Sequence, residues 1–230
     1  MHSPIVRPGL FTVHAAADAR RLEFDAKNDV IVNNKLSVDF VFVGDSITHC
    51  WELQAFFGGT SRIVINRGIA GDKTEFAKRR FIADVIQLRP AYAVIMIGIN
   101  DTWVLDDEGA AGNTPQEVEQ LIGKNIEAIV QMADEHGQKL ILCSLLPTNI
   151  PGNRTNAPRN EMIVRINGRL QALAQRQSHL FVDYHSELVG QDGMTLLDGL
   201  TVDGLHPHVL GYNRMAQTLK NDLSRQGIEI

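Results

Sequence analysis

The sequence predicts an α/β protein, a three-layer α/β/α sandwich built around a five-stranded parallel sheet. Three observations carry this expectation. Five short runs, Val38–Val43, Arg62–Ile65, Tyr92–Ile97, Lys139–Leu145 and His179–Asp183, are mostly rich in Val and Ile and apolar on consecutive positions. That is the pattern of strands covered on both faces of a parallel sheet. Longer amphipathic segments separate the runs, and strands alternating with helices fold through right-handed crossovers. Finally, 230 residues at 44% hydrophobic and 21% charged can bury a large core without staples.

The elements follow in order. The N-terminus is charged and helix-like through Arg20, Arg21 and Glu23, and residues 1–36 are expected as a helical extension packed on a single domain spanning 1–230. It lacks the apolar core of a secretory signal, so a cytoplasmic location is expected. Asp72-Lys73-Thr74-Glu75 resembles a capping box, with Asp72 as N-cap and Glu75 reaching back. Ala77, Phe81, Val85 and Leu88 follow at helical spacing until Pro90. Thr114-Pro115-Gln116-Glu117 combines an N-cap, a first-turn proline and a glutamate at the third position. Val118, Leu121, Ile122, Ile126, Ile129 and Val130 then form one apolar stripe ending near Gly137. Asn160 to Gln177 and His208 to Gln226 complete the helices, the last closed by Gly227.

Composition excludes several classes. With 22 basic and 27 acidic residues the net charge is −5, without the basic excess of a nucleic-acid binder. The longest apolar stretch, Ala91 to Ile99, is too short to span a bilayer. Two cysteines, Cys50 and Cys143, make no disulfide framework and read as small core residues. The acidic run Asp106-Asp107-Glu108 reads as a solvated loop.

In parallel α/β sheets ligands bind beyond the carboxyl ends of the strands. Four segments stand there: Gly44-Asp45-Ser46-Ile47-Thr48, Asn66-Arg67-Gly68-Ile69-Ala70-Gly71-Asp72, Gly98-Ile99-Asn100-Asp101, and Asp203-Gly204-Leu205-His206-Pro207 before the last helix. In this order they resemble the GDSL or SGNH hydrolases, closest in flavour to the platelet-activating-factor acetylhydrolase catalytic subunits. The resemblance spans about Phe40 to Tyr212. It implies a flavodoxin-like sheet of order 2-1-3-4-5 and a serine esterase with no metal or organic cofactor. It also implies a small-molecule ester substrate, with a homodimer as a family-level expectation. Two departures stand out: Ile47 where the family often has leucine, and Ala70-Gly71 where acetylhydrolase-like members carry a glycine pair.

The residue chemistry agrees with the resemblance. A serine hydroxyl needs a base to become a nucleophile. Ser46 follows a buried strand and precedes a helix candidate; from its own block it reads equally as a nucleophile or as a helix cap. Asp45 reads as a turn or capping residue. Of eight histidines, His206 is the strongest base candidate, because Asp203 three residues earlier can take its Nδ1–H and leave Nε2 to face the serine. Pro207 fits the first turn of the final helix. His49, three residues after Ser46, is the main competitor; His2 and His14 lie near the terminus. A metal site of Asp203, His206 and His208 is the alternative use of the same block.

By resemblance, the Ser46 and Gly71 backbone N–H groups and the Asn100 side-chain amide form the oxyanion hole. Asp45, Thr102 and Trp103, with Arg154 and Arg159 from the loop Pro147 to Asn160, are expected around the substrate. Trp103 could stack on a sugar ring or cover the edge of the core. No long apolar lid segment is visible, which disfavours a long-chain lipase; a small acyl group, such as acetyl, on a carbohydrate or other polar alcohol is the expected substrate. Thioesterase or lysophospholipase chemistry is the alternative within the same mechanism. A non-catalytic binding domain on the same fold is the alternative from another class.

Overall fold

Every apolar run of the sequence becomes a strand. In the computed structural model of the chain, residues 17–106 and 114–230 are described. The elements are α1 (Ala17–Asn33), β1 (Phe40–Gly44), α2 (Ser46–His49), α3 (Leu53–Phe57), β2 (Val64–Gly68), α4 (Thr74–Asp84), β3 (Tyr92–Met96), α5 (Pro115–Glu135), β4 (Leu140–Cys143), α6 (Asn156–Arg176), β5 (Leu180–Val182), α7 (Tyr184–Leu188) and α8 (Val209–Arg225). A 3₁₀ turn, Ile99–Asp106, follows β3. The strands form a parallel sheet in the order β2-β1-β3-β4-β5, the 2-1-3-4-5 order expected. The segment before residue 17, with His2 and His14, and Asp107 and Glu108 of the acidic run lie outside the described residues.

The chain divides into two compact units, one running to Ile97 and including Asn125–Leu140, the other comprising Gly98–Lys124 and Ile141–Ile230. In the first, β1 is buried along its whole length and pairs in parallel with β2 and β3, Phe40 lying opposite Val64 and Tyr92. In the second, β4 pairs in parallel with β5, Ile141 opposite Leu180. Leu170, Leu173 and Leu219 are among its core residues.

The second strand begins two residues later than expected and runs through Asn66, Arg67 and Gly68. Polar letters hid it. Arg67 is 3% exposed, with its guanidinium donating to Asn28 Oδ1 at 3.0 and 2.8 Å and lying over the Phe24 ring. Burial lowers its pKa to about 10. Asp72 is not the N-cap of α4; Lys73 stands there without a side-chain cap bond. The Asp72 carboxylate instead pairs with Arg80 at 2.7 Å, and Glu75 bonds Arg79 one turn on rather than reaching back. The Thr114 capping box does form: its N–H donates to Glu117 at 2.7 Å, and Glu117 N–H donates to Thr114 Oγ1 at 3.2 Å. Of the α5 stripe only Leu121 is exposed, at 50%.

Other boundaries shift for local reasons. α6 starts four residues earlier than expected, because Pro158 falls in its first turn, where no helical partner for an N–H is needed. Pro207 lies before α8, whose N-cap is His208. Gly137 and Gly227 leave α5 and α8 with φ +66° and +70°, the left-handed exit that glycine takes at least cost. Cys143 is buried and its thiol pKa is pushed up to about 12 by desolvation. Cys50 is exposed, not a core residue, because it stands at the C-cap of the single turn α2.

Candidate active site

β1 ends in Gly44 and the chain turns at once into α2, with Ser46 as its first residue. The cap is Asp45: its Oδ1 accepts from Ile47 N–H at 2.9 Å, and it is buried. Asp45 therefore fixes the turn instead of facing a ligand, and Ser46, half-buried, is not spent as the cap. The turn sits very close to the sheet. A Cβ on Gly44 would lie 2.5 Å from Met96 O and 2.8 Å from Thr48 Cβ. One on Gly68 would lie 2.6 Å from the Thr48 carbonyl carbon and 2.7 Å from His49 Cα. Glycine at both strand ends is what lets the turn that carries Ser46 seat there. Asn66 closes its far end, donating to Thr48 O at 2.7 Å and Trp51 O at 3.1 Å.

The loop after β2 is held as firmly. Ile69 N–H donates to Gly44 O and Asp72 N–H to Ile69 O, and Gly71 between them has φ +78°. Arg80, fully buried, binds this loop from below: it pairs with Asp72 and Asp84 and donates to Arg67 O and Gly44 O. Burial raises the Asp72 carboxyl pKa against the pull of Arg80. Asp84 also pairs with Arg21 of α1, and Asn28 of α1 donates to Ala83 O and Asp84. One guanidinium thus ties the carbonyl before Asp45-Ser46 to the loop that carries Gly71. His49 accepts the Ala70 N–H on Nδ1 at 3.2 Å. Burial and the nearby Arg20 charge lower its pKa, with Glu23 opposing, so this competitor serves as an acceptor for the loop.

Asn100 and Trp103 stand in the 3₁₀ turn of the second unit. Asn100 is 7% exposed, and its Oδ1 accepts from the Trp103 indole N–H at 2.7 Å. Thr102 is fully buried; its hydroxyl donates to Ile99 O at 2.6 Å and accepts from Arg159 Nε at 3.0 Å. Arg159 is equally buried and pairs with Asp106 at 2.7 Å. Thr102 and Arg159 thus correct the expected substrate wall: both side chains are engaged inside the loop. Arg154 is exposed and Trp103 is half-buried.

Asp203 and His206 are brought together. Asp203 Oδ1 accepts the backbone N–H groups of Leu205 at 3.0 Å and His206 at 2.7 Å, and Oδ2 lies 2.7 Å from His206 Nδ1. Burial opposes ionisation of Asp203, but those N–H groups and the imidazole hold its pKa below the usual carboxylate value. An ionised carboxylate only accepts, so Nδ1 carries the hydrogen and Nε2 is left as the basic nitrogen. Gly204 makes the turn possible, with φ +81° and a Cβ that would lie 2.7 Å from Ile150 Cα. Its carbonyl accepts from Asn149 N–H at 2.8 Å. His208 is committed elsewhere, accepting the Leu210 N–H on Nδ1 as the cap of α8.

Of the expected site residues, Ser46 and Gly71 belong to the first unit, and Asn100, Asp203 and His206 to the second. Sequence reading missed the parts of Asn66 and Arg80. Their signal was present: Arg80 and Asp84 fall on the same helical stripe as Ala77 and Phe81, a charged pair on an apolar face.

Residues 42–214 match the family model described as GDSL-like Lipase/Acylhydrolase. The chain is 34% identical over 90 residues to the uncharacterized lipoprotein YqeF of Bacillus subtilis, covering 39% of this chain and only 35% of that relative. It is 26% identical over 207 residues to an acetylxylan esterase of Geobacillus stearothermophilus, covering 80% of this chain and 92% of the relative. Among solved structures it resembles a GDSL-like lipase from Bacteroides thetaiotaomicron, at TM-score 0.70 and 30% identity, covering 88% and 98% of the two chains.

Proposed function

Since the chain belongs to the GDSL-like lipase/acylhydrolase family and is an ester hydrolase, we propose that it removes a short acyl group, acetyl above all, from a carbohydrate or similar polar alcohol. The observation that carries the catalytic assignment is the Asp203–His206 pair, a carboxylate 2.7 Å from Nδ1 and locked by two backbone N–H groups. An imidazole oriented this way has one defined basic nitrogen and a counter-charge for the imidazolium that forms. The acetyl preference draws on the likeness to an acetylxylan esterase over 80% of this chain.

In this reading His206 Nε2 takes the proton of Ser46 Oγ as the oxygen attacks the ester carbonyl. The Ser46 and Gly71 N–H groups and the Asn100 amide receive the oxyanion. The tetrahedral species collapses as His206 returns its proton to the leaving alcohol. Water, deprotonated by His206, then attacks the Ser46 ester and releases the acid. The test is an acyl-length series of chromogenic esters and acetylated xylooligosaccharides on wild type, Ser46→Ala and His206→Ala. Acetyl should be the best acyl group, and both variants should lose about 10³-fold or more in kcat. Undiminished turnover by Ser46→Ala, or a preference for long acyl chains, would overturn the assignment.

A further inference from the structure

We propose that Trp103 is a positioning residue for the oxyanion donor Asn100, an inference that rests on the esterase reading above. An asparagine amide is a poor oxyanion donor unless its rotation is settled, because the flipped form presents oxygen to oxygen. The indole nitrogen of Trp103 lies 2.7 Å from the Asn100 side chain. Indole N–H is a donor only, so the amide atom facing it must be Oδ1. That bond sets the amide plane and turns the NH₂ group to the opposite edge. It also draws electron density toward Oδ1, which strengthens the NH₂ as a donor.

Local backbone makes the contact. Residues Ile99–Asp106 form a 3₁₀ turn, in which side chains three apart eclipse one another. Asn100 and Trp103 are such a pair. The indole is braced in turn: the Arg159 guanidinium lies 4.5 Å from its ring centroid. Arg159 is held by Thr102 Oγ1 and by Asp106. Asp106 accepts from Thr155 and, at 3.3 Å, from Asn153. Thr102 closes the same turn on Ile99 O. An arginine with no exposed surface is thereby used to hold one indole, and through it one amide.

The test compares Trp103→Phe, Asn100→Ala and the double variant, on p-nitrophenyl acetate and on an acetylated xylooligosaccharide. Phenylalanine keeps an aromatic face beside Arg159, though a smaller one, and removes the N–H. Asn100→Ala should lower kcat about 10²- to 10³-fold. Trp103→Phe should lower kcat about 3- to 10-fold on both esters with KM little changed, and should cost nothing further once Asn100 is alanine. Additive losses, or a KM increase confined to the sugar ester, would refute positioning; the latter would make Trp103 a substrate wall. Wild-type kcat in Asn100→Ala would remove the oxyanion assignment itself, and this inference with it. A readout independent of turnover is the Trp103 indole N–H resonance, one of two in this chain and identified by its loss in Trp103→Phe. In folded Asn100→Ala it should shift and exchange faster with solvent; an unchanged resonance would also refute the contact.

Discussion

Replacing Gly68 with alanine tests whether the seat of the Ser46 turn, the proposed nucleophile's, governs turnover. The added Cβ would lie 2.6 Å from the Thr48 carbonyl carbon and 2.7 Å from His49 Cα, with the His49 nitrogen closer still. All three are backbone atoms, so no side chain can swing away. Carbon contacts settle at about 3.5–4.0 Å, so the turn must retreat by about 1 Å. Overpacking of this kind costs about 1–3 kcal/mol, or about 2–4 °C of Tm per kcal/mol in a chain of this size. The retreat carries Ser46, two to three residues upstream on the same single turn, and a misplacement of about 1 Å can cost about 10²-fold in rate. The assay is kcat on a chromogenic acetate together with the rate of labelling by a fluorophosphonate, each beside a melting curve. Gly59→Ala, whose Cβ meets nothing within 4 Å, is the control and should match wild type. A folded Gly68→Ala protein with wild-type kcat and labelling rate would refute the claim that this close seating sets the reactivity of Ser46.

Three further outcomes follow from the same geometry. Arg80→Met strips the buried Asp72 and Asp84 of a shared cation and should destabilise the fold by about 3–5 kcal/mol in chemical denaturation; a change below about 1 kcal/mol would show the network to be dispensable. His49 has a lowered pKa when folded, so the unfolded chain binds its proton first. The stability it contributes is present above the unfolded histidine value, about 6.5, and is lost as pH falls through the lower folded value. His49→Gln should flatten that acid limb in a plot of Tm against pH, whereas an unaltered limb would assign it to other groups. In a thiol titration the native protein should react once, at exposed Cys50, and twice only after unfolding, because Cys143 is buried with its pKa pushed up to about 12; fast native reaction of both would contradict the burial.

Much of this protein could be read from its letters because the signals were local. Consecutive apolar residues in β1, β3 and β4 encode burial on both faces, and the strand order 2-1-3-4-5 agrees with the resemblance carried by four short segments. The Asp203–His206 contact was legible for the same reason, since three residues of backbone suffice to close it. What sequence could not supply was the use made of polar residues whose partners lie far along the chain. Asp72 looks like a helix cap until Arg80 is buried beneath it. Arg67 interrupts an apolar pattern until Asn28, 39 residues away, accepts its guanidinium. Trp103 reads as a ring for a sugar or a cover for the core, and only the folded turn places its N–H on Asn100. Periodicity and turn chemistry report the energy of neighbours in sequence, whereas the satisfaction of a buried charge or amide depends on groups that only folding brings within about 3 Å.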